Sequence, residues 1–194
     1  MLTGKTILIT GGTASGGSKR IPRKNTKKFF GKPIISYSIE VAINSGIFES
    51  VMVSTDDMEI AEISRSYGAM VPFLISKETS NDFAVTADGI IEVLLNYQKE
   101  GKHFGYFCCI YPTAPFITAS RLQEAMEALI TAQADSLLPV LKFSFPPQRC
   151  IVIHGGKALM KWPEYLNTRS QDLEPYYHDC GQFYMMKSDA FFFE

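Results

Sequence analysis

The chain has 194 residues, 46% of them hydrophobic, and 19 basic against 20 acidic side chains leave a formal net charge of -1. That length buries a core sufficient for one globular domain without disulfide or metal staples. The balanced charge excludes a global field for nucleic acid or an anionic membrane surface.

The opening residues lack a signal-peptide pattern and no apolar run is long enough to span a bilayer, so a soluble, cytoplasmic protein is expected. Residues 6–10, apolar and β-branched, stop at glycines as a buried parallel strand does. Apolar residues at helical spacing from Ile34 to Ile43 predict a helix with Pro33 in its first turn and an end near Gly46. Residues 50–54 read as a strand, followed by a helix that carries Ile60, Ala61 and Ile63 and stops at Gly68. Asp56 and Asp57 lie between them, either as ligand-facing carboxylates or as a helix cap. Helices follow at 85–99 and 119–132, and strands at 106–111 and 136–140. This alternation predicts a three-layer α/β fold with a mostly parallel sheet.

From Lys142 the rhythm changes: Phe145-Pro146-Pro147 breaks it, and residues 151–160 read as a hairpin turning at Gly155-Gly156. Residues 142–179 are therefore expected to form an inserted subdomain within a single domain over 1–194. Residues 182–187 read as a return strand, and Phe191-Phe192-Phe193 call for a covering surface that is expected to be absent. Cys108 and Cys109 sit in a buried strand, and none of the four cysteines has metal-ligand spacing, so reduced thiols are expected.

The chemistry concentrates in the loop after the first strand. Glycines at 11, 12, 16 and 17 precede Lys19, Arg20, Arg23, Lys24, Lys27 and Lys28, and backbone amides beside cationic side chains make a phosphate site. The loop is neither a P-loop nor a Gly-x-Gly-x-x-Gly fingerprint. Its run Gly17-Ser18-Lys19-Arg20-Ile21-Pro22-Arg23-Lys24-Asn25 resembles the CTP-binding signature of the acylneuraminate cytidylyltransferase (CMP-sialic acid synthetase) family. The resemblance continues through Gly31-Lys32-Pro33, Ser54-Thr55-Asp56-Asp57 and Tyr67-Gly68-Ala69. Tyr111-Pro112-Thr113-Ala114-Pro115 and His178-Asp179-Cys180-Gly181-Gln182-Phe183-Tyr184 are similar to the pseudaminic acid branch in particular.

The resemblance implies a Rossmann-like nucleotide-diphospho-sugar transferase fold and a reaction of CTP with a nonulosonic acid. The sugar's anomeric hydroxyl attacks the α-phosphorus and pyrophosphate leaves, with no protein nucleophile. Lys19 and Lys24 would meet the triphosphate as point charges, beside donors from Gly16, Gly17 and Ser18 and the cation of Arg20. Asn25 would bind the nucleotide, and Asp82 and Thr86 correspond to a segment near it, with helix capping as their other role. Tyr111 and Thr113 would face the sugar, although their proline-bounded loop also reads as a tight turn. Arg149 and Arg169 are candidates for the sugar carboxylate or for surface ion pairs, and His178, Asp179, Gln182 and Tyr184 would line the sugar pocket. Magnesium and a homodimer joined through the inserted element are implied as well.

The chain departs from the family pattern at several points. Ser15 and Ile75 stand where the family carries arginines, and the Asp-x-Asp motif that binds magnesium has no counterpart before Glu194. The metal ligands are thus unknown, the family's final strand and helix are expected to be missing, and a truncated relative that binds nucleotide or a partner without turnover is the alternative. Residues 2–13 resemble the opening of short-chain dehydrogenases and sugar-nucleotide dehydratases, but no tyrosine is followed four residues later by the lysine those enzymes need.

Overall fold

A computed structural model describes residues 6–10, 21–76 and 86–192. They divide into two compact units, one from the chain's outer segments Met1–Leu138 and Gly181–Glu194 and one from Pro139–Cys180.

The larger unit is a three-layer α/β body. Its sheet contains β1 (Thr6–Thr10), β4 (Ser50–Val53), β5 (Tyr106–Ile110), β6 (Ser136–Leu137) and β11 (Phe183–Lys187) in the order β4-β1-β5-β11-β6. β1 pairs in parallel with both β4 and β5, whereas β11 runs antiparallel to β5 and β6. The small ribbon β2 (Lys28–Phe29) and β3 (Lys32–Pro33) precedes the first helix.

Helix α1 (Ile34–Ser45) buries Ile35, Ile39 and Ala42, the stripe set by its apolar spacing. It starts one residue after Pro33 and ends at Gly46, whose φ of 67° is the left-handed cap that a side chain disfavours. α1, α2 (Met58–Ser66) and α4 (Ala119–Thr131) cover one face of the sheet, against Val53, Cys108, Ile110, Phe183 and Met185. α3 (Thr86–Lys99) covers the other, packing Ile90, Val93, Leu94 and Tyr97 against Met52, Phe107 and Cys109. Each such fully buried side chain contributes roughly 1.5–3 kcal/mol of burial. Cys108 and Cys109 are buried and form no disulfide; burial first, and the neighbouring Cys109 second, push the Cys108 thiol well above its usual range.

Two expectations are corrected here. The strand predicted over 136–140 is broken at Pro139: Ser136–Leu137 pairs with β11, and β7 (Val140–Lys142) belongs to the other unit. Pro139 has no amide to donate to a ladder. At the other end, Phe191 in the short α5 (Ser188–Phe191) finds its cover within the body, its ring 4.9 Å from that of Phe107, with Phe192 packed on the same cluster.

Unit Pro139–Cys180 consists of two antiparallel ribbons. β7 pairs with β10 (Tyr177–Asp179), and β8 (Ile151–His154) pairs with β9 (Lys157–Met160) around Gly155 and Gly156, whose φ values of 55° and 76° suit a tight hairpin turn. The unit closes at its root, where the Cys180 amide donates to the Pro139 carbonyl at 3.1 Å. Its one buried residue is Gln148, while Ile153, Ile151, Phe145 and Leu141 are all more than half exposed.

Candidate active site

In the order β4-β1-β5 the chain leaves β1 for β4 on one side and later returns to β5 on the other. Parallel strands that diverge in this way leave a crevice outside the carboxyl ends of β1 and β5. Three pieces of the larger unit carry the candidate residues.

The first is the 3-10 turn Lys24–Thr26. Arg23 precedes it in left-handed conformation (φ 53°, ψ 36°), and its carbonyl accepts from the Thr26 amide at 3.1 Å and the Thr26 hydroxyl at 3.2 Å. Lys24 is exposed. Asn25 is 2% exposed, yet its Oδ1 accepts no hydrogen bond among the described residues. Leaving such an oxygen buried and unmatched costs on the order of 1–3 kcal/mol. A ligand carrying an N–H or O–H donor relieves that cost.

The second is the junction of β4 and α2. Asp57 caps α2, its Oδ1 accepting from the Ile60 amide at 3.1 Å, and the Thr55 hydroxyl accepts from the Asp57 amide at 3.1 Å. Arg23 Nη2 reaches both Asp57 oxygens, at 3.3 and 3.2 Å, and also pairs with Glu59. Partial burial raises the Asp57 pKa, but the Ile60 amide and the Arg23 guanidinium outweigh it and hold the carboxyl below its usual range. Of the two roles open to Asp57, the structure gives it the cap. Arg23, read with the phosphate-binding cations, is turned toward carboxylates.

The third is a cavity of about 520 Å³ between the start of α3 and the sheet, with Thr86, Ala87 and Ile90 on one wall and Phe107, Tyr111, Tyr184, Met186 and Phe191 on the other. That size suits a small-molecule ligand. The backbone fixes Tyr111 on both sides: its amide donates to the Gln182 carbonyl at 2.9 Å, and its carbonyl accepts from the Ser38 hydroxyl at 3.0 Å. The Tyr111 and Tyr184 rings meet edge to face at 5.7 Å.

Three candidates from the sequence, Thr86, Tyr111 and Tyr184, thus share one cavity, and Gln182 holds its rim through a main-chain carbonyl. Thr113 is exposed on the loop beyond Tyr111. Gly16, Gly17, Ser18, Lys19, Arg20 and Asp82 lie outside the described residues. The apolar wall of Ile90, Phe107, Met186 and Phe191 carries no polar motif, so sequence reasoning passed over it. A signal existed for Met186, because it stands two residues from Tyr184 and alternation puts both on one sheet face.

The other candidates belong to unit Pro139–Cys180. Arg149 Nη1 donates to the Thr168 carbonyl at 2.8 Å, and Arg169 makes a forked pair with Asp172 at 2.6 and 3.2 Å. His178 is exposed with Nδ1 2.9 Å from the Asp179 carbonyl and its ring against Phe143, while Asp179 pairs with Val140 in the β7–β10 ribbon. Ile75, where the resemblance expects an arginine, is 5% exposed and packed in the α3 core.

Among the described residues no group of three or more His, Cys, Asp or Glu side chains is placed to hold a metal ion. Asp57, engaged by Arg23 and the Ile60 amide, is not placed to hold a magnesium ion. None of the described helices is long and apolar enough to cross a membrane.

Residues 13–187 match the family described as Cytidylyltransferase. The chain is 42% identical over 178 residues to the pseudaminic acid cytidylyltransferase of Campylobacter jejuni serotype O:2, covering 91% of this chain and 77% of the relative. It is 34% identical over 163 residues to the CMP-N,N'-diacetyllegionaminic acid synthase of Legionella pneumophila, covering 84% and 68%. Among solved structures, a CMP:2-keto-3-deoxy-manno-octonic acid synthetase complexed with CTP shares the fold with a TM-score of 0.69 at 19% identity, over 96% of this chain and 76% of that one.

Proposed function

The chain belongs to the cytidylyltransferase family, and from that premise we propose that it activates a nonulosonic acid of the pseudaminic type with CTP. The anomeric hydroxyl oxygen bonds to the α-phosphorus as its proton is lost, the bond from that phosphorus to the β-phosphate oxygen breaks, and pyrophosphate leaves. The observation that carries this reading is the segment Tyr111-Pro112-Thr113-Ala114-Pro115, which leaves β5 at the sheet's crevice with Tyr111 on the cavity, in a chain that most resembles the pseudaminic branch at that motif.

The residues divide the work. Lys24 supplies a mobile positive charge for the triphosphate, and Asn25 supplies a buried acceptor for a nucleotide donor. By the family resemblance Gly16, Gly17, Ser18, Lys19, Arg20 and Asp82 serve the nucleotide as well, and Thr86 faces the cavity. Tyr111, Tyr184 and Gln182 orient the sugar, with Thr113 on the loop beyond them. Substitution at phosphorus needs no protein nucleophile, and the buried Cys108 thiol offers none. Magnesium accompanies CTP in the assay.

The test is pyrophosphate release from CTP and magnesium with pseudaminic acid, and then with N-acetylneuraminic acid. Turnover with pseudaminic acid in clear excess is expected. Equal turnover with both sugars overturns the branch assignment, and binding of CTP without turnover of either moves the protein to a non-catalytic role.

A second copy of the chain is proposed to cover unit Pro139–Cys180, in support of which Ile153, Ile151 and Leu141 stand exposed on ribbons that bury no apolar side chain of their own. So small a unit lacks the burial to stabilise itself alone. Ile153→Asp is expected to shift sedimentation from dimer to monomer, and a wild-type monomer at micromolar concentration sinks the idea. The free thiols fit a cytoplasmic location.

A further inference from the structure

The cations of the loop after β1 are not equivalent. Lys24 is exposed, one residue from a buried amide oxygen that lacks a partner among the described residues. Arg23 instead spends its guanidinium on two carboxylates of α2: Nη2 lies 3.3 and 3.2 Å from the two oxygens of Asp57 and pairs also with Glu59. A guanidinium held this way has its charge matched, and a phosphate brought to it would meet both carboxylates.

The anchor is firm. The same Asp57 carboxylate caps α2 through the Ile60 amide, and α2 is pinned by the fully buried side chains of Ile60 and Ala61. At its other end Arg23 is part of the turn it precedes. Its backbone lies at φ 53° and ψ 36°, a region disfavoured for a residue with a side chain, and its carbonyl closes the turn on Thr26 through two hydrogen bonds. One residue therefore holds the turn from inside and ties it to a helix 34 positions away in sequence.

We propose that Arg23 is a positioning residue for cytidylyl transfer: its anchorage to Asp57 and Glu59 sets the Lys24–Thr26 turn, so that Lys24 and Asn25 are presented to the nucleotide, and its own side chain does not bind phosphate. The proposal rests on the reading above, in which Lys24 and Asn25 serve CTP. Lysine is a poor substitute at this position, because a single ammonium cannot span two carboxylates as a planar fork does.

The two roles open to Arg23 give opposite signs when the carboxylates are neutralised. Asp57→Asn keeps an oxygen to cap α2, and with Glu59→Gln it releases the guanidinium while leaving it charged. A released phosphate ligand binds CTP as well as before or better, whereas a lost anchor weakens CTP.

The experiment is calorimetric titration of CTP into the full chain, comparing wild type with Arg23→Ala, Arg23→Lys, the Asp57→Asn/Glu59→Gln pair and the combined triple variant. Arg23→Ala and the carboxylate pair are each expected to weaken CTP roughly tenfold, inside the ~100-fold that a misplaced group can cost. The triple variant should be no weaker than either, as groups acting through one contact are not additive, and Arg23→Lys should recover part of the loss. Equal stoichiometry across variants keeps the comparison to folded protein. Should the pair fail to fold, the exposed Glu59→Gln alone carries the same sign test. Unchanged or tighter CTP binding on neutralising the carboxylates, or wild-type affinity in Arg23→Ala, overturns the proposal. No heat from wild type overturns the CTP reading itself, and the proposal with it.

Discussion

Replacing Lys24 by alanine is expected to lower kcat/KM for CTP by about 100-fold, or about 2.7 kcal/mol of transition-state stabilisation. Charge builds on the departing pyrophosphate while the sugar hydroxyl attacks, and an ammonium on a flexible stem can follow that charge as it shifts. The turn beneath Lys24 is held by Arg23 and Thr26, so the deletion removes a charge without disturbing its support. Lys24 is exposed, and an exposed substitution of this kind changes stability by about 0.5 kcal/mol or less. Steady-state pyrophosphate release, with thermal unfolding as the control, checks the result. Full activity in Lys24→Ala would remove Lys24 from the reaction.

Phe183→Ala has the largest effect expected on stability, a loss of about 3–5 kcal/mol. Phe183 is fully buried, faces Ile110 across the β5–β11 ladder, and packs in the cluster that holds Leu122 and Met126 of α4. The void would open where the return strand is riveted to the parallel sheet. Its neighbours in sequence are Gln182, whose carbonyl receives the Tyr111 amide, and Tyr184, which lines the cavity. The variant should therefore weaken sugar binding as well as lower the urea midpoint. A loss below about 1 kcal/mol would mean that the site collapses around the missing ring.

Much of the body was legible because its segments are amphipathic with one period each. Ile35, Ile39 and Ala42 fall on one side of α1 by spacing alone, and Gly46 closes that helix where the pattern stops. The hairpin at Gly155-Gly156 was legible because two adjacent left-handed residues are nearly a glycine signature. The break at Pro139 was harder to see, since residues 136–140 read as one apolar run. There the missing amide of a single residue decides which sheet each half joins.

The site was legible as chemistry and less so as geometry. A cluster of cations after a strand can be read from composition, but that Asp57 and Glu59 claim one of them is a fact of folding. Arg149 and Arg169 were candidates for a carboxylate by type; the structure places them on the Thr168 carbonyl and on Asp172. The cavity's apolar wall comes from α3, β5, β11 and α5, elements far apart in the chain, and no local motif announces it.

The hydrogen bond from the Cys180 amide to the Pro139 carbonyl has an evolutionary consequence. A segment that begins and finishes at one point behaves as a cassette, for whatever happens between its ends, the strands that follow and precede it keep their register. Residues between Pro139 and Cys180 can therefore change in length without moving their two anchor points, and only the apolar side chains proposed to meet a second copy constrain the rest.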